Sequence, residues 1–386
     1  MKKQEQAALR FSQDELKWAG EIAGRIEGKL SGTAGRCGDS IIYTLDKAGR
    51  AEDMFKVRSS SWVNGFWPGI LWLLYIMSKD PEYAKKAKRL EKKLDQALYL
   101  TNEGFEGLHH DVGFMWVPVS VASYRLTGDR DSRRRALIAA DYLAARWNPE
   151  AGFLTAWNQK EREFWSIIDT MMNLSLLYWA SEETGYDRFS RIASLHAKKA
   201  AHNSVRPDGS VNHIVRYDSQ GNLAETFAGQ GYGIGSCWSR GEAWAVYGFT
   251  VSYLHTGNPL FLDTARKTAN YFLAALQSDE YVPLCDFRAP REPVLYDSTA
   301  GAIAASGMLT LASLLPEHEG RLYSDGALRI LKALESKCCD FSDGTDLFLG
   351  LGAERYDSME QKYIIYGDYY YLEAVLKILG VPFLVW

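Results

Sequence analysis

The sequence contains little cysteine and lacks any long apolar run. Its five cysteines are an odd number among 386 residues, and only Cys338 and Cys339 lie close together, so neither a disulfide framework nor a metal-ligand spacing is indicated. That usage favours a reducing compartment. No apolar stretch reaches the roughly 18 residues of a membrane span, and the N-terminal lysines lack the apolar run of a signal peptide. We therefore expect a cytoplasmic protein that does not bind a membrane.

An excess of positive charge is missing as well. Lys and Arg total 44 against 48 Asp and Glu, which gives a formal net charge of −4. The one basic cluster, residues 85–93, is typical of the solvated face of an amphipathic helix. The sequence therefore argues against nucleic acid as a partner, and an anionic ligand would need a cation placed locally in its site.

Aromatic residues, in contrast, are abundant. They form 13% of the chain, including 12 Trp and 22 Tyr. Trp and Tyr present flat apolar faces with a polar edge, which suits a cleft that stacks against sugar rings. A large aromatic core explains the same composition equally well, so the positions of these residues have to decide between the two.

A repeated pattern of paired helices runs through the chain. In residues 118–148, apolar residues at helical spacing lie on both sides of Thr127-Gly128-Asp129, where the Gly closes one helix and the Asp begins the next. Similar breaks recur roughly every 50 to 70 residues, which indicates a supersecondary repeat. They lie at 78–81, 184–187, 256–259 and 315–317.

Two kinds of helix alternate in this repeat, and their alternation predicts the architecture. Strongly apolar helices precede the breaks and would form an inner ring, whereas the amphipathic helices that follow would form an outer ring. The inner set is predicted at 66–77, 167–180, 241–254 and 299–314, and the outer set at 82–98, 187–202, 260–276 and 322–336.

With a first helix near 13–29 and a last near 368–379, the pattern predicts about twelve helices in six hairpins. We predict an all-α (α/α)6 barrel, with an open solenoid of helix pairs as the alternative. Short β segments are expected within the long connections, at 210–217 and 281–288. No flexible linker divides the chain, so residues 1–386 are expected to form a single domain.

Unusual polar and aromatic residues gather in the long connections that lead into the inner helices. Because these connections share one end of a closed barrel, their side chains are expected to line one cleft. The residues are Trp62, Asn64, Trp67, His109, His110, Asp111, Trp165, Asp169, His213, Gln230, Trp238, Arg240, Trp244, Asp297, Tyr366 and Asp368.

These residues also have structural explanations. Asp111 and Asp297 can be helix N-caps, Arg240 can form a structural ion pair, and some of the tryptophans can simply pack in the core. Asp169 is different, because the sequence places it among apolar residues of an inner helix. A carboxylate there is costly unless it is hydrogen-bonded or functional, so we interpret Asp169 as functional.

Six segments together resemble the unsaturated glucuronyl hydrolases, glycoside hydrolase family 88. Each alone would be a weak match, but they follow the family's order across most of the chain. They are SWVNGFWPGILWLLY (61–75), LHHDVGFMW (108–116), IIDTMMNLSLLYWA (167–180), WSRGEAWAVYGF (238–249), YDSTAGAIAASGML (296–309) and YGDYYYLEAVLK (366–377).

This resemblance implies an (α/α)6 barrel, a usually intracellular enzyme without a metal or organic cofactor, and a small unsaturated oligosaccharide as substrate. It implies that Asp169 is the general acid/base and Asp111 the second carboxylate. The last long connection departs from the family, because Tyr356 is a weak match for an aromatic residue there and no basic motif for sulfate is present. The substrate-binding candidates, to which we add Trp244 from the same predicted mouth, are Trp62, His110, His213, Gln230, Trp238, Arg240 and Trp244.

The chemistry of such a substrate suits these residue types. Its terminal sugar carries a C4=C5 double bond attached to the ring oxygen, which makes it an enol ether. Protonation at C4 leaves an oxocarbenium-like centre at C5, where water adds to give a hemiketal that opens and releases the leaving sugar. One carboxyl group can deliver the proton and then activate the water. A covalent or epoxide route from the same double bond is the alternative.

Other functions also fit the sequence. A conventional inverting glycosidase would use Asp111 and Asp169 as its acid and base. An unsaturated rhamnogalacturonyl hydrolase would share the barrel and the double-bond substrate, and a non-catalytic protein would bind oligosaccharides without consuming them. The parent polysaccharide is open among chondroitin, hyaluronan, heparin-type chains, gellan and xanthan. A monomer and a homodimer are both compatible with the sequence.

Overall fold

A computed structural model describes residues 3–100, 107–276, 280–381 and 385–386. Twelve long helices occur among them. In chain order they are α1 (Gln13–Arg36), α2 (Phe66–Ser78), α3 (Pro81–Asp95), α4 (112–127, with a π-helical turn at Val117–Val121), α5 (Arg130–Ala144), α6 (Thr170–Thr184), α7 (Asp187–Asn203), α8 (Ser239–Thr256), α9 (Pro259–Ala275), α10 (Ser298–Ser313), α11 (Glu317–Cys338) and α12 (Ile365–Ile378).

The even-numbered helices form an inner ring and the odd-numbered helices surround it. Each inner helix packs on the next inner helix along the chain, and α12 packs on α2, so the ring closes. Every residue of α10 is buried, whereas the outer helices bury only one face. The predicted (α/α)6 barrel is therefore confirmed over the open solenoid. None of the described helices is long and apolar enough to cross a lipid bilayer.

Short turns join five inner helices, α2, α4, α6, α8 and α10, to the outer helix that follows each of them. At the predicted break after α4, Gly128 adopts a left-handed conformation with a φ of 70°, and the Asp129 side chain accepts hydrogen bonds from the N–H groups of Asp131 and Ser132 in α5. Asn258 caps α9 in the same way. Because these turns share one end of the barrel, all the long connections lie at the other end.

Among the described residues, three small antiparallel sheets lie in the long connections. They comprise β1 (Ile42–Leu45) with β2 (Ala51–Asp53), β3 (Trp147–Asn148) with β4 (Phe153–Leu154), and a three-stranded sheet of β5 (Trp165–Ile167), β6 (Ile214–Tyr217) and β7 (Leu223–Phe227). The strand predicted within 210–217 is confirmed at β6.

The strand predicted at 281–288 is wrong. This segment forms only isolated bridges, Leu284 with Tyr296 and Asp286 with Trp238. The Asp286 carboxylate accepts a hydrogen bond from the backbone N–H of Arg288, which turns the chain after residue 286, and it also accepts from the N–H groups of Tyr232 and Cys237 in another loop.

Glycines lie where inner helices approach each other most closely. A Cβ atom on Gly248 of α8 would lie 2.8 Å from the carbonyl carbon of Met171 in α6. A Cβ atom on Gly113 of α4 would lie 2.7 Å from the Cα atom of Asn173, which is also in α6. Such separations are too short for any other residue, so the geometry of the inner ring depends on these positions.

Replacing Gly248 with alanine should therefore destabilise the barrel, because the added methyl group overlaps the α6 backbone. We expect Gly248→Ala to lower the free energy of unfolding by about 1–3 kcal/mol, measured by guanidinium denaturation followed by circular dichroism. Gly24→Ala is the matched control: Gly24 lies in outer helix α1, where a Cβ would meet nothing within 4 Å. That variant should be neutral or stabilised by up to about 1 kcal/mol, and equal midpoints for the two variants would contradict the prediction.

Candidate active site

The residues that directly precede four inner helices meet at the end of the barrel that carries the long connections. They are Asp111 before α4, Asp169 before α6, Trp238 before α8 and Asp297 before α10. A helix N-terminus favours a negative charge. The Asp297 side chain caps its helix, but those of Asp111 and Asp169 make no capping hydrogen bond. The N-cap explanation therefore holds for Asp297 alone, and the other two carboxylates are available to the cleft.

Sheet register brings Asp169 next to His213. Ile167 at the end of β5 pairs with Ile214 at the start of β6, so the residues just beyond them are neighbours. Asp169 Oδ2 lies 3.3 Å from His213 Nε2. The Nδ1 atom of His213 lies 3.0 Å from the backbone N–H of Gln230, which can donate to it, and 3.2 Å from the carbonyl oxygen of Ala228. The shorter contact favours Nδ1 as the acceptor and the ring hydrogen on Nε2, facing Asp169.

The position of Asp169 corrects one detail of the prediction. The sequence suggested that Asp169 lies inside an inner helix, within 167–180. Helix α6 begins only at Thr170, because strand β5 extends to Ile167. Its side chain retains 14% of its accessible surface, and its role as a catalytic group stays a prediction.

Asp111 forms an ion pair with His110. The Nδ1 atom of His110 donates to the carbonyl oxygen of Ala156 at 2.7 Å, and Nε2 lies 3.1 Å from Asp111 Oδ1. Both ring nitrogens thus face acceptors, which favours the imidazolium form. Burial alone would lower the pKa of His110, but the Asp111 carboxylate outweighs it and raises that pKa. Burial alone would raise the pKa of Asp111, yet His110 holds it below the usual value.

His109 stands on the other side of Asp111. Its Nδ1 atom is 3.4 Å from Asp111 Oδ2, and burial lowers the pKa of His109 to about 4, so the ring is neutral. One ligand atom from each of His109, His110 and Asp111 lies within 4.8 Å of the others. These three side chains therefore have donor atoms that can hold a metal ion.

Asn173 connects the two carboxylate residues, and sequence reasoning missed it. Its Nδ2 group donates to Asp111 Oδ1 at 3.2 Å and to the carbonyl oxygen of Asp169 at 3.1 Å. Its Oδ1 atom accepts from the backbone N–H of Phe114 at 2.9 Å, which fixes the orientation of the amide. Asn173 has no accessible surface. A buried asparagine one helical turn after Asp169 was the available signal, since buried amides need partners.

Arg240 is buried beneath Trp238 and carries a structural ion pair. Its Nη1 donates to Asp297 Oδ2 at 2.7 Å, and its Nη2 donates to the carbonyl oxygen of Glu354 at 2.7 Å. The guanidinium carbon lies 4.5 Å from the centre of the Trp238 ring. The structural explanation of Arg240 is therefore correct, whereas its contact with a substrate stays a prediction.

The predicted tryptophans differ in exposure and in the rings that they contact. Trp62 is half-buried and packs on Phe114 at 5.3 Å, and Trp238 covers His213 at 4.2 Å between ring centres. Trp244 corrects the prediction that it binds substrate. It has no accessible surface and packs on Phe114 at 4.9 Å, because it lies more than one turn inside α8 and faces the barrel core.

The last long connection closes the cleft against Gln230. The Gln230 Nε2 group donates to the carbonyl oxygen of Glu354 at 2.6 Å, and the backbone N–H of Tyr356 donates to the Gln230 carbonyl at 2.9 Å. The Tyr356 ring meets Tyr232 edge to face at 5.0 Å. Tyr356, the weak match in the sequence, therefore lies directly beside a predicted binding residue.

Several other residues of the predicted mouth have structural roles. Asp368 is fully buried, and burial raises its pKa to about 7 even though the N–H groups of Phe348 and Leu349 donate to it. Asn64 donates to backbone carbonyls nearby, and Trp67 is fully buried. These three residues of the predicted mouth are therefore explained by hydrogen bonding and packing within the protein.

Comparisons with known proteins identify the class of enzyme. The family model described as Glycosyl Hydrolase Family 88 matches residues 35–281. An unsaturated glucuronyl hydrolase of Bacillus sp. (strain GL1) is 38% identical over 331 residues, which cover 83% of this chain and 86% of that protein. An unsaturated chondroitin disaccharide hydrolase of Streptococcus pneumoniae (strain ATCC BAA-255 / R6) is 32% identical over 329 residues, with 83% and 82% covered.

A solved structure agrees with these relatives. The crystal structure of the unsaturated glucuronyl hydrolase from Bacillus sp. GL1, responsible for the degradation of glycosaminoglycan, superposes with a TM-score of 0.85 at 34% identity, over 94% of this chain and 96% of that chain. The chain belongs to glycosyl hydrolase family 88 and is a glycoside hydrolase. The resemblance seen in the six sequence segments is confirmed.

Removing the Asn173 amide should change the pH dependence of this enzyme. The amide stabilises the charged form of Asp111, so Asn173→Ala should raise the pKa of Asp111. A group that works as a carboxylate loses activity as the pH falls through its pKa, and the acid limb of the kcat/KM profile should therefore move to higher pH. Ser175→Ala, on the same helix and buried but bonded to the Met172 carbonyl, should leave that limb in place. An unmoved limb in Asn173→Ala would contradict the assigned role.

Proposed function

We propose that this glycoside hydrolase releases the unsaturated (4,5-dehydro) glucuronic acid from the non-reducing end of small oligosaccharides made by polysaccharide lyases. The names of its relatives support this substrate class, since one is an unsaturated glucuronyl hydrolase and another an unsaturated chondroitin disaccharide hydrolase. The observation that carries the proposal is the pair of unequal carboxyl groups: Asp111 is ion-paired with His110, whereas Asp169 Oδ2 accepts no hydrogen bond from the described residues and lies 3.3 Å from His213 Nε2.

Asp169 is the proton donor in this proposal. Within the described part of the chain, its Oδ2 atom has no hydrogen-bond partner, although His213 Nε2 lies 3.3 Å away. A protonated Asp169 delivers its proton to C4 of the sugar, and the carboxylate that remains takes a proton from the water that attacks C5. The neighbouring Nε2–H of His213 stabilises that carboxylate between the two steps.

Asp111 is the charge that stabilises the intermediate. Because His110 lowers its pKa, Asp111 stays ionised while positive charge develops at C5 and the ring oxygen. Addition of water gives a hemiketal at C5. Its C5–O bond to the ring oxygen breaks to form a ketone, and the hemiacetal at C1 then expels the leaving sugar. The net reaction consumes one water and returns Asp169 to its protonated state.

Asp169→Asn should abolish turnover while largely preserving substrate binding, because the amide fills the same space but cannot transfer the proton. We expect kcat to fall by about 10²- to 10⁴-fold with little change in the dissociation constant, measured by steady-state kinetics and calorimetry on a lyase-made disaccharide. Asp141→Asn is the control, since Asp141 lies on the surface and pairs only with Arg188 among the described residues. A purified Asp169→Asn protein with near-wild-type kcat would end the assignment.

The double bond itself should be required. A panel of lyase-made disaccharides should lose the ultraviolet absorbance of the conjugated double bond on incubation with the enzyme, and the same disaccharides with a saturated uronic acid should remain intact. This result separates enol-ether hydration from conventional inverting hydrolysis, which attacks C1 of saturated glycosides. Cleavage of the saturated series at comparable rates would refute the hydration mechanism, and the rates within the panel identify the preferred parent polysaccharide.

A further inference from the structure

We propose that His109, His110 and Asp111 form a binding site for a zinc-like divalent transition-metal ion, and that the bound ion inhibits the enzyme. Binding of the ion follows from the geometry of these three side chains. Inhibition rests on the function proposed above, because the ion would occupy the Asp111 carboxylate on which that mechanism depends.

Two separations between donor atoms of this cluster match those of a zinc site, and one ligand atom from each of the three side chains lies within 4.8 Å of the others. Zinc binds imidazole nitrogen and carboxylate oxygen at about 2.0–2.2 Å, so neighbouring ligand atoms of a tetrahedral site lie about 3.4 Å apart. His109 Nδ1 is 3.4 Å from Asp111 Oδ2, and His110 Nε2 is 3.1 Å from Asp111 Oδ1. Binding of one ion between them therefore requires side-chain rotations that bring all three donor atoms to these separations.

Second contacts hold these ligands in orientation. The Nδ1–H group of His110 donates to the Ala156 carbonyl, which directs Nε2 toward Asp111, and Asn173 Nδ2 holds the carboxylate. Hydrogen bonds of this kind fix the ligands of established metal sites. His109 Nδ1 is buried and accepts no hydrogen bond from the described residues, so its nitrogen points at Asp111 without a partner of its own. A metal ion would satisfy that atom.

The donor set also selects the ion. Two imidazole nitrogens and one carboxylate suit zinc, cobalt or nickel, whereas magnesium and calcium prefer oxygen ligands alone. Three protein ligands leave a fourth position for water. An ion in this place would replace the hydrogen between His110 and Asp111. The Asp111 carboxylate would then be a metal ligand and could not stabilise the positive charge that develops on the sugar.

Binding can be measured without any activity. Metal-free protein should bind Zn²⁺ with a stoichiometry of one by calorimetry, Co²⁺ should give the visible absorption bands of a tetrahedral site, and Mg²⁺ should do neither. His109→Ala should weaken Zn²⁺ binding by about tenfold or more. His318→Ala is the control, because His318 is exposed and lies 3.8 Å from Glu319, the kind of surface pair that binds zinc adventitiously. Equal Zn²⁺ affinities of wild type and His109→Ala would overturn the site.

His109→Gln provides a second test if His109→Ala fails to fold, since glutamine keeps most of the volume but lacks the imidazole.

The inhibition is then tested with the lyase-made disaccharide. Zn²⁺ should inhibit wild type reversibly, with activity restored by a chelator, and both His109 variants should need about tenfold more Zn²⁺. Zinc binding without inhibition would overturn the inhibitory role, whereas a protein that binds Co²⁺ but turns over no unsaturated substrate would refute the proposed function and leave the metal site standing.

Discussion

Close contact between helix backbones in the inner ring is the constraint on which the active site depends. Gly248 and Gly113 have no side chain where α8 and α4 press against α6, and any Cβ there would overlap the neighbouring helix. The six inner helices can therefore close into a ring with their N-termini at one end. Because Asp111 and Asp169 each directly precede an inner helix, closing the ring is also what brings the two carboxylates to a common mouth.

Two aspartates at equivalent places differ because their surroundings differ. Asp111 is held as a carboxylate by His110 and by the Asn173 amide, whereas Asp169 faces His213 with one oxygen free of hydrogen bonds from the described residues. In the proposed mechanism, this difference in surroundings assigns the stable charge to Asp111 and the proton transfer to Asp169. Asn173 touches both residues, so the two halves of the site are not independent of each other.

The sequence predicted the barrel well because its information is local. Breaks such as Thr127-Gly128-Asp129 end one helix and begin the next through backbone conformation and capping. The contrast between apolar and amphipathic helices shows which helices belong to the inner ring and which to the outer ring. The failures came from long-range contacts. Residues 281–288 have the composition of a strand, but the carboxylate of Asp286 bonds to another loop. Trp244 was expected to line the cleft because the helix was predicted to begin at residue 241, whereas α8 already begins at Ser239. The three hydrogen-bond partners of Asn173 come from separate parts of the chain or from the backbone, so only the folded structure shows them.

The pairing of Asp169 with His213 is carried by the small sheet of β5, β6 and β7, which lies outside the ring of helices. The barrel keeps its helices together through a large apolar core, while this sheet has few strands and packs in smaller clusters of its own. Warming such a molecule can fray the hairpin and part the two side chains while the helical signal is still intact. Heating is then expected to inactivate the protein before its helices melt, because inactivation requires only that the backbone hydrogen bonds of this small sheet open.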